Sequence, residues 1–367
     1  MIFYKNKSEI EKFGHLLSSI HSGNIYFITG KNGSGKSRFF SYATESISLN
    51  REAYPNRLIC FSGTMHDKYP AAVYKSDKPD NNVIYLGNKV NNNMVSDIAP
   101  FRKLCHYILN QFSVDAINLS IRKVLDRLNF QEHILLKFRY GKNRKSEVFG
   151  SIPPQLDFSL IGIQNDQELV NSYLKHLIAG DLILSDIGFF RENKPYRLSE
   201  LSSGEKQYAL ALLGLIYCGN SGCVTFYDEP ENSLHPAWQL NIVKDMSDIM
   251  ENLYPKSTLI IATHSPLIAS GIRSRNVFIC DLPAGQSWKR VEIFGRTSDA
   301  VLREQFHLYS ARSPEIIALL NKCLDYVTKN EINSDEFRQE QEKLRSYNLD
   351  LTSDDPLYNV VNTILKF

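Results

Sequence analysis

The chain has 367 residues, of which 43% are hydrophobic and 22% charged, with a formal net charge of +2. This composition excludes a disordered chain, and the near balance of charge excludes a global polycation, so any nucleic-acid surface must be local. No run approaches the ~18 apolar residues a membrane helix needs, and the six dispersed cysteines show no C-x-x-C pair, so the expectation is a cytoplasmic protein with buried thiols and no membrane partner.

In chain order, the first stretch that carries chemistry is GNIYFITGKNGSGKSRFF, Gly23 to Phe40. Ile25 to Thr29 are β-branched or aromatic and bounded by glycines, which predicts a short buried strand. Gly30 to Ser37 fits G-x-x-x-x-G-K-[ST], with an apolar helix expected through Phe39 and Phe40. Gly30, Gly33 and Gly35 let the backbone turn its N–H groups inward as an anion nest, and the helix N-terminus points at the same place. Lys36 is placed to reach β and γ phosphates and the Ser37 hydroxyl to ligate Mg²⁺. Lys31, Asn32, Ser34 and Arg38 complete the expected cradle.

Helical spacing over Phe101 to Phe130 predicts two helices of an inserted lobe. HILLKFRYGKNRKSEVFG then reads as a β-hairpin turning at Gly141-Lys142-Asn143. Lys137, Arg139, Lys142, Arg144 and Lys145 make 137–145 the most basic stretch, a candidate contact for nucleic-acid phosphates or an acidic partner.

In LSELSSGEKQYALALLGLIYC, Ser202 and Ser203 precede an apolar helix with Glu205 close behind, an N-cap pattern. CVTFYDEP is a buried strand delivering Asp228 and Glu229 at its C-terminal end. Asp228 is the candidate Mg²⁺ ligand, and Glu229 the candidate base for an attacking water. STLIIATHSP is another short strand ending in Thr263, His264 and Ser265. Helix starts are expected at Ser313-Pro314-Glu315, at Ser334-Asp335-Glu336 and after Asp354-Asp355, the last helix carrying Leu357, Val360, Val361, Ile364 and Leu365 on one face.

Taken in order, GKNGSGKS, LSSGEKQ, DEP and ATHSP resemble the motifs of ABC-type ATPases from about residue 20 to residue 270. PENSLHP after the acids, the ATHSP setting of His264 and the glutamate of LSSGEK resemble the soluble branch of RecF, SMC-like and OLD-family proteins and bacterial defence ATPases. LICFSGTMHDKYP with VIYLGN loosely resembles ATPases of Septu-like and retron-linked systems. The resemblance implies an α/β P-loop sheet with an inserted helical lobe and a helical C-terminal extension. The expected segments are 1–100 and 196–285 for the ATPase core, 101–195 for the lobe and 286–367 for the extension. It implies ATP and Mg²⁺ as cofactors, His264 as γ-phosphate sensor, and Ser202, Ser203 and Gly204 serving ATP held by a second subunit in a homodimer or higher oligomer. Glu231, Asn232 and Ser233 would meet that partner's site, with Pro230 and Pro236 stiffening the loop, while His235 is open between interface and helix start. The family's metal-coupling glutamine has three candidates, Gln111, Gln131 and Gln155. No strand-borne nuclease acids follow the core, so the expected function is ATP hydrolysis gating a partner effector such as a nuclease in anti-phage defence. A RecF-like DNA clamp, a transporter ATPase and an ATP-bound scaffold are the alternatives.

Overall fold

The computed structural model describes residues 7–50, 57–74, 82–91, 93–110, 114–141, 152–161, 165–270, 272, 276–291, 314–329, 331–347, 349 and 358–366. It divides into two units, Met1–Val301 and Leu302–Phe367.

In the first unit, helix α1 (Lys7–Ser18) is followed by strand β1 (Ile25–Thr29), α2 (Lys36–Leu49), β2 (Leu58–Ser62), the short α3 (Ala71–Tyr74) and β3 (Val83–Leu86). A small hairpin, β4 (Lys89–Asn91) and β5 (Met94–Val95), leads into α4 (Ile98–Leu109) and α5 (Asp115–Leu128). Next come β6 (His133–Tyr140), β7 (Gln155–Ser159), α6 (Gln167–Ala179), β8 (Leu182–Arg191) and β9 (Lys194–Arg197). The chain then returns through α7 (Ser203–Cys218), β10 (Val224–Asp228), α8 (Pro236–Leu253), β11 (Thr258–Ala262), α9 (Pro266–Ser270), β12 (Val277–Asp281) and β13 (Lys289–Val291).

The main sheet has the order β13-β12-β1-β11-β10-β2-β3, parallel except at β13. Every residue of β1, β2, β3 and β11 is buried, as both-face burial of a parallel sheet demands. One face takes α2, where Phe40 stacks on Phe226 at 4.8 Å between ring centroids. The other takes α7, which is buried almost all round and lies against β2 and β3 on one side and α4, α5 and α8 on the other. The register sets Thr29 beside Asp281, Ile28 beside Ala262, Ala262 beside Asp228 and Asp228 beside Ser62, so the residues that follow these strand ends share one edge.

Between α4 and α7 the chain carries more β-structure than the expected lobe of helices and a hairpin. The two helices are present, but a four-stranded antiparallel sheet, β7-β6-β8-β9, packs with them. The hairpin also returns later than expected, through Gln155–Ser159, and 142–151 lie outside the described residues. The main sheet runs on to Val291, past the expected end of the core at residue 285.

In the second unit the helices Pro314–Thr328, Asp335–Ser346 and Tyr358–Lys366 enclose a core of Leu320, Cys323, Phe337, Leu344, Val361 and Ile364. The Ser334 hydroxyl accepts from Phe337 N at 3.1 Å, the expected cap, whereas Asp354, Asp355 and Leu357 lie outside the described residues. Among the described residues no helix is long and apolar enough to cross a membrane, and all six cysteines are buried free thiols.

Candidate functional site

The loop after β1 turns sharply at Gly30, Gly33 and Gly35, whose φ values of 135°, 80° and 117° lie where only glycine is unstrained. Gly35 also caps α2, so the helix N-terminus opens onto the loop. Lys36 is 4% exposed and folds back across the loop, donating to Gly30 O at 2.8 Å and Lys31 O at 3.4 Å. Its ammonium lies 3.6 Å from Glu229 Oε1. Arg38 is directed elsewhere, since its Nε and Nη2 donate to Glu9 Oε1 on α1 at 3.0 and 2.8 Å. Gly33, Ser34 and Arg38 border an open cavity of about 570 Å³ whose other walls are α1 and the turn after β12.

Asp228 ends β10 with no solvent exposure. Desolvation pushes its pKa up to about 8, and the charges of Glu229 and Asp67 push the same way. The nearby Ser37 hydroxyl and Lys36 pull it down, yet neither carboxylate oxygen receives a hydrogen bond of normal geometry. Glu229 adopts left-handed backbone, φ 49° and ψ 58°, which is uncommon without glycine. It is held there by its N–H on Ala262 O at 2.8 Å and by Asn232 Nδ2, which donates to its Oε2 at 2.9 Å. Just past the end of the adjacent β2, Gly63 N donates to Asp228 O at 2.8 Å, and the Ser233 hydroxyl donates to Gly63 O at 3.1 Å.

The tail after the acids turns inward. Glu231 is 8% exposed, and its Oε1 accepts from His264 N at 2.7 Å and lies 2.9 Å from His264 Nδ1. These His264 donors hold the Glu231 carboxyl below its ordinary pKa despite burial, and Glu231 in return raises that of His264. Glu231, Asn232 and Ser233 therefore each have a partner within their own chain, which the expectation of contact with a second subunit did not include. His235 is a helix start, its Nδ1 accepting from Ala237 N at 3.3 Å with Pro236 in the first turn of α8.

Ser202 caps α7 in a reciprocal box: its hydroxyl accepts from Glu205 N at 3.2 Å, and Glu205 Oε2 accepts from Ser202 N at 2.8 Å. Glu205 also pairs with Arg191 of β8. Ser203 follows as the first helical residue and is exposed. Gly204 is buried, and a Cβ there would stand 2.8 Å from the Trp238 ring, so the close approach it permits is to α8.

Of the candidate metal-coupling glutamines, Gln131 lies just before β6 and bonds Asn193 in the turn between β8 and β9, Gln155 opens β7, and Gln111 lies outside the described residues. Gln207 of α7, by contrast, reaches the edge of the site, donating to Ser62 O and Tyr227 Oη, each at 3.1 Å. Asp67 was likewise not anticipated. It is buried beyond β2, accepts from Tyr85 Oη at 2.7 Å and carries a raised pKa from desolvation. LSSGEKQ did contain Gln207, but only the packing of α7 on β2 and β10 gives it a target.

A family profile described as "AAA domain, putative AbiEii toxin, Type IV TA system" matches residues 66–270. A probable ATPase of retron Ec83 from Escherichia coli is 32% identical over 93 residues, covering 25% of this chain and 16% of that protein. Among solved structures, UvrA2 from Deinococcus radiodurans aligns over 77% of this chain and 35% of its own, at 16% identity and a TM-score of 0.30. An SMC head bound to a winged-helix domain of ScpA aligns over 74% of this chain and 90% of its own, at 11% identity and a TM-score of 0.33.

Proposed function

Because the chain belongs to this AAA-domain family, whose profile covers more than half of it, we propose that it binds Mg²⁺-ATP at the shared sheet edge and hydrolyses it. The observation that carries this reading is the convergence of Lys36, Asp228, Glu229 and His264 beside a glycine loop at a helix N-terminus. His264 lies close enough to feel the charges of both Glu229 and Lys36.

The residues fit a magnesium ion. Asp228 has two buried oxygens that receive no hydrogen bond of normal geometry, and the Ser37 hydroxyl stands beside them. One carboxylate and one hydroxyl form the sparse protein set with which Mg²⁺ is shared between protein and phosphates. Held there, Mg²⁺ would neutralise charge on the β and γ phosphates. Lys36 exchanges its loop carbonyls for phosphate oxygens, and the loop N–H groups take the remainder. Glu229, fixed by Asn232 and by its own backbone, accepts the proton of the attacking water. His264 contacts the γ-phosphate and reports its presence.

Beyond hydrolysis, the proposed role is an ATP-dependent homodimer that gates an effector, such as a nuclease, in a defence system. The family's description as a toxin–antitoxin protein and the retron ATPase relative support this setting. Ser202 and Ser203, exposed at the start of α7, are the proposed signature contacts to ATP on the second copy, whereas Gly204 is taken up by packing on α8. The basic stretch around Lys137 and Arg139 is a proposed nucleic-acid contact, Arg139 being exposed on β6. The test of the core reading is Mg²⁺-dependent ATP binding by wild type and Lys36→Ala. Binding should weaken at least tenfold in the variant, and equal affinity would remove the loop from the site.

A further inference from the structure

The tail Pro230 to Gln239 does more than lead from the acids to the next helix. Glu231 reaches across to the loop after β11, 33 positions along the chain, and its Oε1 meets both the backbone N–H and the ring Nδ1 of His264, at 2.7 and 2.9 Å. The neighbouring residues brace this arrangement. Gln239 Nε2 donates to Leu234 O at 2.9 Å and Glu231 O at 3.3 Å, while its Oε1 accepts from the Ser265 hydroxyl at 2.8 Å. Ser265 N donates to Thr263 Oγ1 at 2.9 Å, and Thr263 N to Ile28 O at 3.0 Å, so the histidine loop is tied to both the tail and β1.

The chemistry of the pair is asymmetric. Glu231 is 5% exposed by its side chain and His264 44%, so an almost dry carboxylate grips one side of an imidazole that is otherwise open. A buried carboxylate stays ionised only where donors replace lost water, and His264 supplies two of them to one oxygen. With Nδ1–H engaged, the neutral ring carries its lone pair on Nε2, and the cation carries a second donor there. We propose that Glu231 is the positioning residue of His264, fixing its ring through Nδ1 so that Nε2 is the nitrogen presented to the nucleotide. This rests on the reading of His264 as the γ-phosphate contact. Among the described residues, the charged groups that act on His264 are Glu231, Glu229 and Lys36.

The test separates the two layers. Nitrogen-15 NMR of imidazole-labelled, nucleotide-free protein, with Glu231→Gln and with His264→Asn for assignment, reads the ring directly. Wild type should show the Nδ1–H tautomer and a midpoint above 6.5, the ordinary value. Glu231→Gln, which removes the charge, should lower the midpoint, and Glu231→Leu, which leaves no acceptor, should remove the tautomer bias. An Nε2–H tautomer in wild type, or a ring unmoved by Glu231→Gln, overturns the proposal, and the wild-type spectrum decides even if the variant fails to fold. In turnover, losing a partner that orients an imidazole should cost about 10- to 100-fold in kcat with ATP affinity nearly unchanged. In the His264→Asn background Glu231→Gln should add nothing, and a further loss there overturns the proposal. If the ring responds as expected but His264→Asn turns over normally, the positioning stands and the phosphate-contact reading falls.

Discussion

Replacing Gly63 by alanine should disable the site while leaving the nucleotide loop whole. The backbone of Gly63 is not in the positive-φ region, so the constraint is space and not conformation. A Cβ there would stand 2.2 Å from Glu229 O, 2.9 Å from Glu229 C and 3.0 Å from Pro230 Cα. All three are backbone atoms, and none can swing aside as a flexible side chain would. Restoring ordinary contact requires the ends of β2 and β10 to separate by about 1 Å, overpacking that costs about 1–3 kcal/mol in a rigid core. The same displacement breaks the bonds from Gly63 N to Asp228 O and from the Ser233 hydroxyl to Gly63 O, at about 1 kcal/mol each. The expected destabilisation is therefore about 3–5 kcal/mol, read as a lower urea midpoint. Because the shift moves Glu229, single-turnover hydrolysis should slow by about 100-fold while ATP affinity changes little. A Gly63→Ala protein with wild-type midpoint and wild-type hydrolysis would show that the β2–β10 edge does not set the geometry of Glu229.

Asp228→Asn should stabilise the metal-free protein while abolishing turnover. An acid raised from 3.8 to about 8 binds its proton more tightly when folded, so stability is lost as pH rises through that window, about 4 kcal/mol by pH 7 at most. Thermal melts in a chelator should show the variant above wild type with a flatter pH slope between 6 and 8; parallel curves would contradict this. The Glu231–His264 pair predicts a different profile. Glu231 is lowered from 4.5 and His264 raised from 6.5, so the contribution is complete between those values. It is lost as pH rises through the folded His264 pKa and as it falls through that of Glu231. The gap between wild type and Glu231→Gln should be widest there, and a pH-independent gap would count against the ion pair. In the C-terminal unit, Phe337→Ala removes a ring that is 1% exposed and should cost about 3–5 kcal/mol. Limited proteolysis should then cut within 314–367 first; an unchanged cleavage order would mean these helices do not form the core described.

That the glycine loop and the two acids would meet at one sheet edge was legible in the sequence because each part is contiguous. Gly30 to Ser37 and Asp228-Glu229 each carry their chemistry within a few residues, and parallel strands bring their ends to one edge. Two helices were readable between Phe101 and Phe130 because α4 and α5 each keep one apolar face. The antiparallel sheet was not, and β8 shows why. Leu182 and Leu184 are buried, but the register shift opposite Lys137 and Phe138 places Ile187 and Phe189 inward next, so the two-residue alternation breaks mid-strand. The Glu231–His264 pair was invisible for another reason. It joins residues 33 positions apart, and nothing local in PENSLHP tells an inward glutamate from one facing a partner. Gln207 and Asp67 share that obscurity, since their partners are strand ends and ring hydroxyls supplied by the fold.

The central claim is that Glu229 performs chemistry at a site whose other members hold the nucleotide. The direct measurement is Mg²⁺-ATP affinity and single-turnover hydrolysis for wild type and Glu229→Gln, side by side. Affinity within about twofold and hydrolysis reduced by about 100-fold or more is the predicted result, the scale expected of a general base. Hydrolysis at the wild-type rate by Glu229→Gln would contradict the account.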